Sequence, residues 1–126
     1  MKILSSHDHQ PAAESDRTIV TLPNDADPLA LTLDGVTRID LNFPGFNDGR
    51  AYSQAYLLRR RRGFTGDIRA TGDVLIDQLV QMQRTGFSSA VLKEGVDAAD
   101  AQRQFDRFAA YYQADAVQTA PLFKRG

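Results

Sequence analysis

The chain has 126 residues, which is enough for one domain with its own core and too few for two. A composition of 42% hydrophobic and 25% charged residues is that of a globular protein, and no apolar run approaches the roughly 20 residues that span a membrane. The net charge of −1 provides no overall field for nucleic acid or an anionic membrane, and the lack of cysteine excludes disulfides, thiolate nucleophiles and iron–sulfur clusters held by this chain.

The first 17 residues lack sustained periodicity, which predicts a flexible arm with at most a short strand, followed by a single domain over 18–126. Both histidines, His7 and His9, lie in this arm, so the body has no imidazole for a general base or a zinc site. The only apolar pair in the first 16 residues, Ile3 and Leu4, is too short for a secretion signal. We therefore expect a cytoplasmic protein.

Four strands are predicted in the domain. In the clearest of them, Ile39, Leu41 and Phe43 alternate with polar residues, which is the period of a strand. The other three are β-branched or apolar runs bounded by turn residues, and they cover 18–22, 67–71 and 89–93.

Three helices are predicted to alternate with these strands. The first follows Asp48-Gly49, ends at Gly63 and places on its inner face Ala51, Ala55 and Leu58. The second begins near Asp73, whose carboxylate would cap it, and ends at Gly86. The third begins at Asp97 and has apolar residues at helical spacing, namely Ala101, Phe105, Phe108 and Tyr112. An extended tail follows, in which Leu122 and Phe123 could dock on the body.

Alternating strands and helices predict an α/β protein with a small, mostly parallel sheet, because strand–helix–strand connections are right-handed crossovers. Two strands carry a polar row, Arg38-Asp40-Asn42 and Asp67-Arg69-Thr71, whereas strands covered on both faces are almost entirely apolar. We therefore expect helices mainly on one face, as in half of a (β/α) barrel, with the polar face meeting a ligand or a second copy. A three-layer, flavodoxin-like fold is the alternative.

Ligands of parallel α/β sheets bind where the strands end, and three turns meet at that edge. We expect their chemistry-bearing side chains to converge there, namely Asp48, Arg50, Asp73, Lys93 and Glu94. Arg50 and Ser53, at the start of a helix, could hold sulfite, sulfate or phosphate. Alternatively, Asp48 caps this helix and Arg50 pairs with Asp48.

Other polar residues have both a functional and a structural interpretation. Arg69 is a further candidate anion ligand, but a structural ion pair with Asp40 or Asp67 is favoured. Asp48 and Asp73 are the candidate catalytic residues, as acid and base or as Mg²⁺ ligands, although aspartates at helix starts are more often caps. The run of arginines from Arg59 to Arg62 indicates a solvated helix end. Tyr52 and Tyr56 are four residues apart, which indicates an aromatic pair that packs in the core or at an interface.

Several spaced motifs closely resemble the domain of unknown function family 934, over roughly residues 18 to 123. The family's DGR-x-YS motif falls on Asp48, Gly49, Arg50, Tyr52 and Ser53, and its RA-x-GD-x-x-x-DQ motif on Arg69, Ala70, Gly72, Asp73, Asp77 and Gln78. Besides the residues discussed above, the resemblance marks as structural or site-supporting Gly49, Tyr52, Gly72, Asp77 and Gln78. Members are usually encoded beside assimilatory sulfite reductase and are often labelled probable oxidoreductases of sulfite reduction.

This resemblance implies an accessory protein of assimilatory sulfite reduction, partnered by a sulfite reductase component. The one-sided sheet with its polar open face, together with Tyr52 and Tyr56, predicts a homodimer. Because the sequence lacks redox ligands, we expect no cofactor or metal of its own. The alternatives are a small enzyme or sensor that binds sulfite, sulfate or a phosphorylated metabolite at the strand ends, and a purely structural dimer. Neither a dinucleotide fingerprint nor a flavin motif is present in the sequence. Whether the protein is an enzyme is left open.

Overall fold

The computed structural model describes residues 1–13, 15–45 and 47–110, and within them the protein is an α/β fold built on a sheet of five parallel strands. The strands are β1 (Lys2–Leu4), β2 (Ile19–Leu22), β3 (Arg38–Phe43), β4 (Asp67–Gly72) and β5 (Ser89–Val91), in the spatial order β1-β5-β4-β3-β2. The helices are α1 (Arg50–Arg60), α2 (Leu79–Thr85) and α3, described over 98–110. Short 3-10 turns cover Pro28–Ala30 and Ile76–Gln78.

The two faces of the sheet differ as the alternating pattern predicted. Ile39 of β3 is in register with Ile68 of β4, and both are fully buried on the apolar face. Buried residues of all three helices, among them Leu58, Met82 and Phe105, join the same apolar cluster as these strand residues. The helices therefore pack on one face and leave the polar rows on the other, which agrees with the half-barrel-like arrangement rather than the three-layer alternative.

The sheet begins earlier than the sequence indicated. Residues 2–4, within the expected arm, form β1, which pairs in parallel with β5 at the edge of the sheet. Leu92 donates a backbone hydrogen bond to the Leu4 carbonyl and extends this pairing. Three residues are too few to show the alternation of a strand, so β1 forms a strand because it pairs with β5 and not because of a pattern in its own sequence.

The second helix begins later than predicted, and Asp73 does not cap it. The Asp73 N–H donates to the Phe43 carbonyl, 2.7 Å away, which continues the strand pairing past β4. Leu75 is still extended, with φ −102° and ψ 143°, before the 3-10 turn over Ile76–Gln78 leads into α2. The expectation of a helix starting near Asp73 is therefore wrong, because pairing with β3 holds the backbone extended there.

The third helix agrees with its predicted start. The Asp97 carboxylate accepts hydrogen bonds from the N–H groups of Ala99 and Asp100, at 2.9 and 3.4 Å, as an N-cap does. Ala101 and Phe105 are buried, whereas Phe108 is 43% exposed. The last apolar residue predicted for this helix, Tyr112, and the predicted docking residues Leu122 and Phe123 lie outside the described residues. In the described ranges, no helix has both the length and the apolar character needed to cross a bilayer.

The arginines at the end of α1 do not form a uniformly solvated end. Arg59 donates to the carbonyls of Phe64, Gly66 and Gly86, and Arg62 donates to the carbonyls of Pro28 and Leu29. Arg60 and Arg61 are exposed, and the Arg60 guanidinium lies 5.8 Å from the centre of the Tyr56 ring. The expectation of a solvated end thus holds for two of these arginines, while the other two bind backbone carbonyls.

Candidate functional site

The start of α1 stands at the carboxyl ends of β2 and β3, where ligands of parallel sheets bind. The Asp48 carboxylate accepts the backbone N–H of Arg50 at 2.9 Å, so Asp48 closes the turn into α1. Gly49 is the N-cap residue of α1, and no side chain caps the helix at that position. Asp48 therefore does not cap α1 as predicted, but its carboxylate binds the first N–H of the helix from the residue before the N-cap.

Arg50 and Ser53 lie on the exposed side of α1 and line two neighbouring cavities. One cavity, of about 610 Å³, is also lined by Asn47, Asp48 and Gly49. The second, of about 340 Å³, is lined from the loop after β2 by Asn24, Asp25, Ala26 and Pro28. The Arg50 guanidinium makes one long hydrogen bond, 3.5 Å, to the Asn24 side-chain oxygen, and no ion pair joins it to Asp48 among the described residues. The guanidinium and the Ser53 hydroxyl therefore face the same open space.

Two residues of this site, Asn24 and Gln54, were missed by the sequence analysis. Gln54 is 96% buried and donates to three carbonyls of the loop after β2, those of Pro23, Asn24 and Ala26. Asn24 in turn donates to the Asn42 carbonyl at 3.1 Å. The turn after β2 was recognised in the sequence, but its place beside α1 follows from the pairing of β2 with β3.

Asp73 lies at the end of β4 and forms an ion pair with Lys93, which follows β5. The predicted convergence is thus correct for these two residues, since neighbouring parallel strands end at the same edge. Glu94 is exposed. The described contacts place Asp48 and Arg50 beside the loop after β2, and Asp73 and Lys93 farther along the same edge. Because Asp73 is paired with a lysine and Asp48 holds the turn into α1, both candidate catalytic aspartates have structural partners.

Tyr52 of α1 packs against the core of the domain. Its ring packs at 5.0 Å from Phe43 and 6.3 Å from Phe87, so it belongs to the aromatic core of the domain. Burial, together with the nearby Asp77 carboxylate, raises the pKa of the Tyr52 hydroxyl, which keeps it protonated. The predicted aromatic pair is not among the ring contacts of the described residues: Tyr52 packs on Phe43 and Phe87, whereas Tyr56 is 50% exposed.

The remaining motif residues surround this edge. Gly72 has φ +88°, and a Cβ at this position would collide with the Phe43 carbonyl and the Asn42 side chain, so the β4 turn requires glycine. Asp77 is exposed, and Gln78 is half-buried in the 3-10 turn before α2, where its N–H donates to the Leu75 carbonyl. These residues shape the chain around Tyr52 and Asp73.

Arg69, the third candidate anion ligand, lies on the polar face of the sheet. Its guanidinium donates to Asp67 at 3.1 Å and to the Ser89 hydroxyl at 2.9 Å, and only 11% of its side chain is exposed. Arg38 forms a two-pronged ion pair with Asp40 in the same way. The favoured interpretation of Arg69 as one member of a structural ion pair is therefore confirmed, with Asp67 as the partner.

The donor set at this edge suits anions better than metal ions. Among the described residues, no group of three or more histidine, aspartate or glutamate side chains could hold a metal. Beside the loop after β2, the exposed donors include the Arg50 guanidinium, whose planar fork can bind two oxygens at once, and the Ser53 hydroxyl. Lys93, which is also exposed, lies farther along the edge and is paired with Asp73. Together with the fold, these features define a small parallel α/β protein with an open cleft beside Arg50 at the carboxyl edge of its sheet.

Comparison with known families assigns the chain more closely. The model of the family DUF934, described as bacterial proteins of unknown function, matches residues 19–123, and the chain belongs to this family. The match covers β2 to β5 and includes every motif residue discussed above. No curated protein and no solved structure matches the chain.

Proposed function

We propose that this protein is an accessory protein of assimilatory sulfite reduction that binds a small oxyanion, such as sulfite, between α1 and the loop after β2. The place in sulfite reduction rests on the gene neighbourhood that the family resemblance implies. The binding site rests on one observation: Arg50 and Ser53 are exposed side by side and form the wall shared by two cavities.

The chemistry of the cleft favours an oxyanion over an uncharged ligand. A guanidinium keeps its charge at every physiological pH, and its fork matches two oxygens of a tetrahedral or pyramidal anion. The start of α1 adds the positive end of a helix dipole. Gln54 attaches the opposite wall to α1, and Asn24 attaches it to β3, which sets the width of the smaller cavity. The Asp48 carboxylate is held by the Arg50 N–H.

Substitution of Arg50 by lysine should weaken anion binding while the fold remains intact. Lysine keeps the charge but loses the fork, so the affinity for sulfite, sulfate or phosphate should fall by about 1 to 3 kcal/mol. Calorimetric titration of each anion into the parent and Arg50→Lys proteins measures this loss, with melting curves recorded alongside. Arg61→Lys, which changes another exposed arginine near the end of α1, is the matched control and should leave anion affinity unchanged.

An equal affinity in the parent and Arg50→Lys proteins, or no binding by either, would show that the cleft is not an anion site. If Arg50 has only a structural role at the surface, the lysine variant should change stability by about 1 kcal/mol or less. The titration and the melting curves together separate these two roles.

The place in sulfite reduction is tested independently of the ligand. We expect the tagged protein to retain a sulfite reductase component when it is purified from cells grown on sulfate as the sole sulfur source. The same purification from cells supplied with cysteine is the control, because the pathway is not needed there. Recovery of unrelated proteins only, under both conditions, would contradict the proposed partner without bearing on anion binding.

A further inference from the structure

A segment of the chain crosses the polar face of the sheet. Residues 5–13, here called the strap, leave β1 at one edge and lead towards β2 at the opposite edge, about 19 Å away at ordinary strand spacing. The connections from β2 to β5 advance in one direction with their helices on the apolar face. The connection from β1 to β2 runs across the sheet in the opposite direction. If it is right-handed like the others, it must lie on the opposite, polar face.

Two hydrogen bonds attach the strap to this face. Arg38 is held by Asp40, at 2.8 and 3.0 Å, and it donates a further hydrogen bond to the Gln10 carbonyl at 2.8 Å. The Arg69 guanidinium, which also binds Asp67, contacts Nδ1 of His9 at 3.2 Å. No residue of the strap is fully buried. These polar contacts therefore matter more for its attachment than hydrophobic burial does.

The contact with Arg69 requires one protonation state of His9. A guanidinium has donors and no acceptor, so Nδ1 of His9 must accept, and the imidazole is neutral with its proton on Nε2. Partial burial and the positive charges of Arg69 and Arg38 disfavour a second proton, whereas the Asp40 carboxylate favours it. Burial is the largest of these effects, and the pKa of His9 in the docked strap is lowered.

We propose that His9 is a proton-sensitive clasp, whose protonation breaks the bond to Arg69 and releases the strap from the polar face, uncovering Arg38 and Arg69. The direction follows from linkage: a docked pKa below the ordinary value of about 6.5 means that the released strap binds the proton more readily. Docking is therefore fully stable above the ordinary value and weakens as the pH falls towards the docked pKa. This device lies on the face opposite α1 and does not depend on the anion site.

Backbone nitrogen-15 relaxation of the strap amides tests the clasp, because it separates ordered from flexible backbone. For each unit by which docking lowers the pKa of His9, the ratio of released to docked strap at low pH rises tenfold. We expect the order parameters of residues 5–13 to be those of ordered backbone at about pH 7.5 and to be lower at about pH 5.5. His9→Gln retains an acceptor for Arg69 and cannot be charged, so it should abolish this pH dependence. His7→Gln, which changes the exposed histidine of the same strap, is the matched control and should retain it.

Proton NMR provides a second measurement, because the chain has only two histidines. The imidazole resonance that disappears in His9→Gln should titrate below about pH 6.5 in the parent protein. Equal order parameters at both pH values, the same pH dependence in the parent and His9→Gln proteins, or titration of that resonance at or above the ordinary value would each contradict the proposed clasp.

Discussion

Replacement of Gly72 by alanine should destabilise the protein by roughly 3 kcal/mol, measured as the free energy of unfolding in urea. Two costs combine at this position. A φ of +88° is strained for any residue with a Cβ, and the added Cβ would strike the backbone carbonyl of Phe43. That carbonyl cannot move away freely, because it accepts the Asp73 N–H at 2.7 Å.

Gly95→Ala is the matched control for this substitution. Gly95 has nearly the same backbone angle, φ +86°, but no atom lies within 4 Å of the position of its Cβ. Gly95→Ala should therefore lose only the free energy that corresponds to backbone strain, about 1 kcal/mol. If Gly72→Ala costs no more than Gly95→Ala, the close approach between the end of β4 and the Phe43 carbonyl is not as described.

Replacement of Arg59 by methionine should cost about 3 kcal/mol of unfolding free energy, because several backbone carbonyls lose a charged donor together. The guanidinium donates to Gly86 at 2.8 Å, Phe64 at 2.9 Å and Gly66 at 2.7 Å, and it thereby joins the end of α1 to the turns before β4 and β5. Burial lowers the pKa of Arg59, but an arginine remains charged at physiological pH. The donor is therefore lost only by substitution.

The neighbouring arginine provides the control. Arg60 is exposed and contacts the Tyr56 ring, so Arg60→Met should change the unfolding free energy by about 0.5 kcal/mol or less. The loss of unfolding free energy in Arg59→Lys should lie between those of Arg59→Met and Arg60→Met, because one ammonium cannot reach all three carbonyls that the guanidinium fork binds. Equal losses in Arg59→Met and Arg60→Met would contradict the structural role of Arg59.

The candidate site could be predicted in part. The sequence indicated Arg50 and Ser53 because their positions after a turn glycine place them at the start of a helix, which is a local property. It could not indicate that Asn24 lies beside them, since this contact depends on the pairing of β2 with β3. The motif residues of the family resemblance include Gly72, for which the structure supplies a steric reason.

Local patterns also determined most of the strands and helices. The alternation of Ile39, Leu41 and Phe43 and the cap at Asp97 are properties of a few consecutive residues, and the structure confirms both elements they predicted. The polar row of β3 likewise predicted which face lacks helices. Periodicity and turn chemistry carry this information because side-chain direction follows directly from backbone repeat.

Only the tertiary structure decided which distant residues meet. The partner of β1, the late start of α2 after Asp73 and the three carbonyls around Arg59 each depend on strand order and register. His9 could not be connected with Arg69 from the sequence, since the strap reaches the polar face only because β1 and β2 lie at opposite edges. Such contacts join segments far apart in the chain, and no local pattern specifies them, so they follow from the way the whole sheet is assembled.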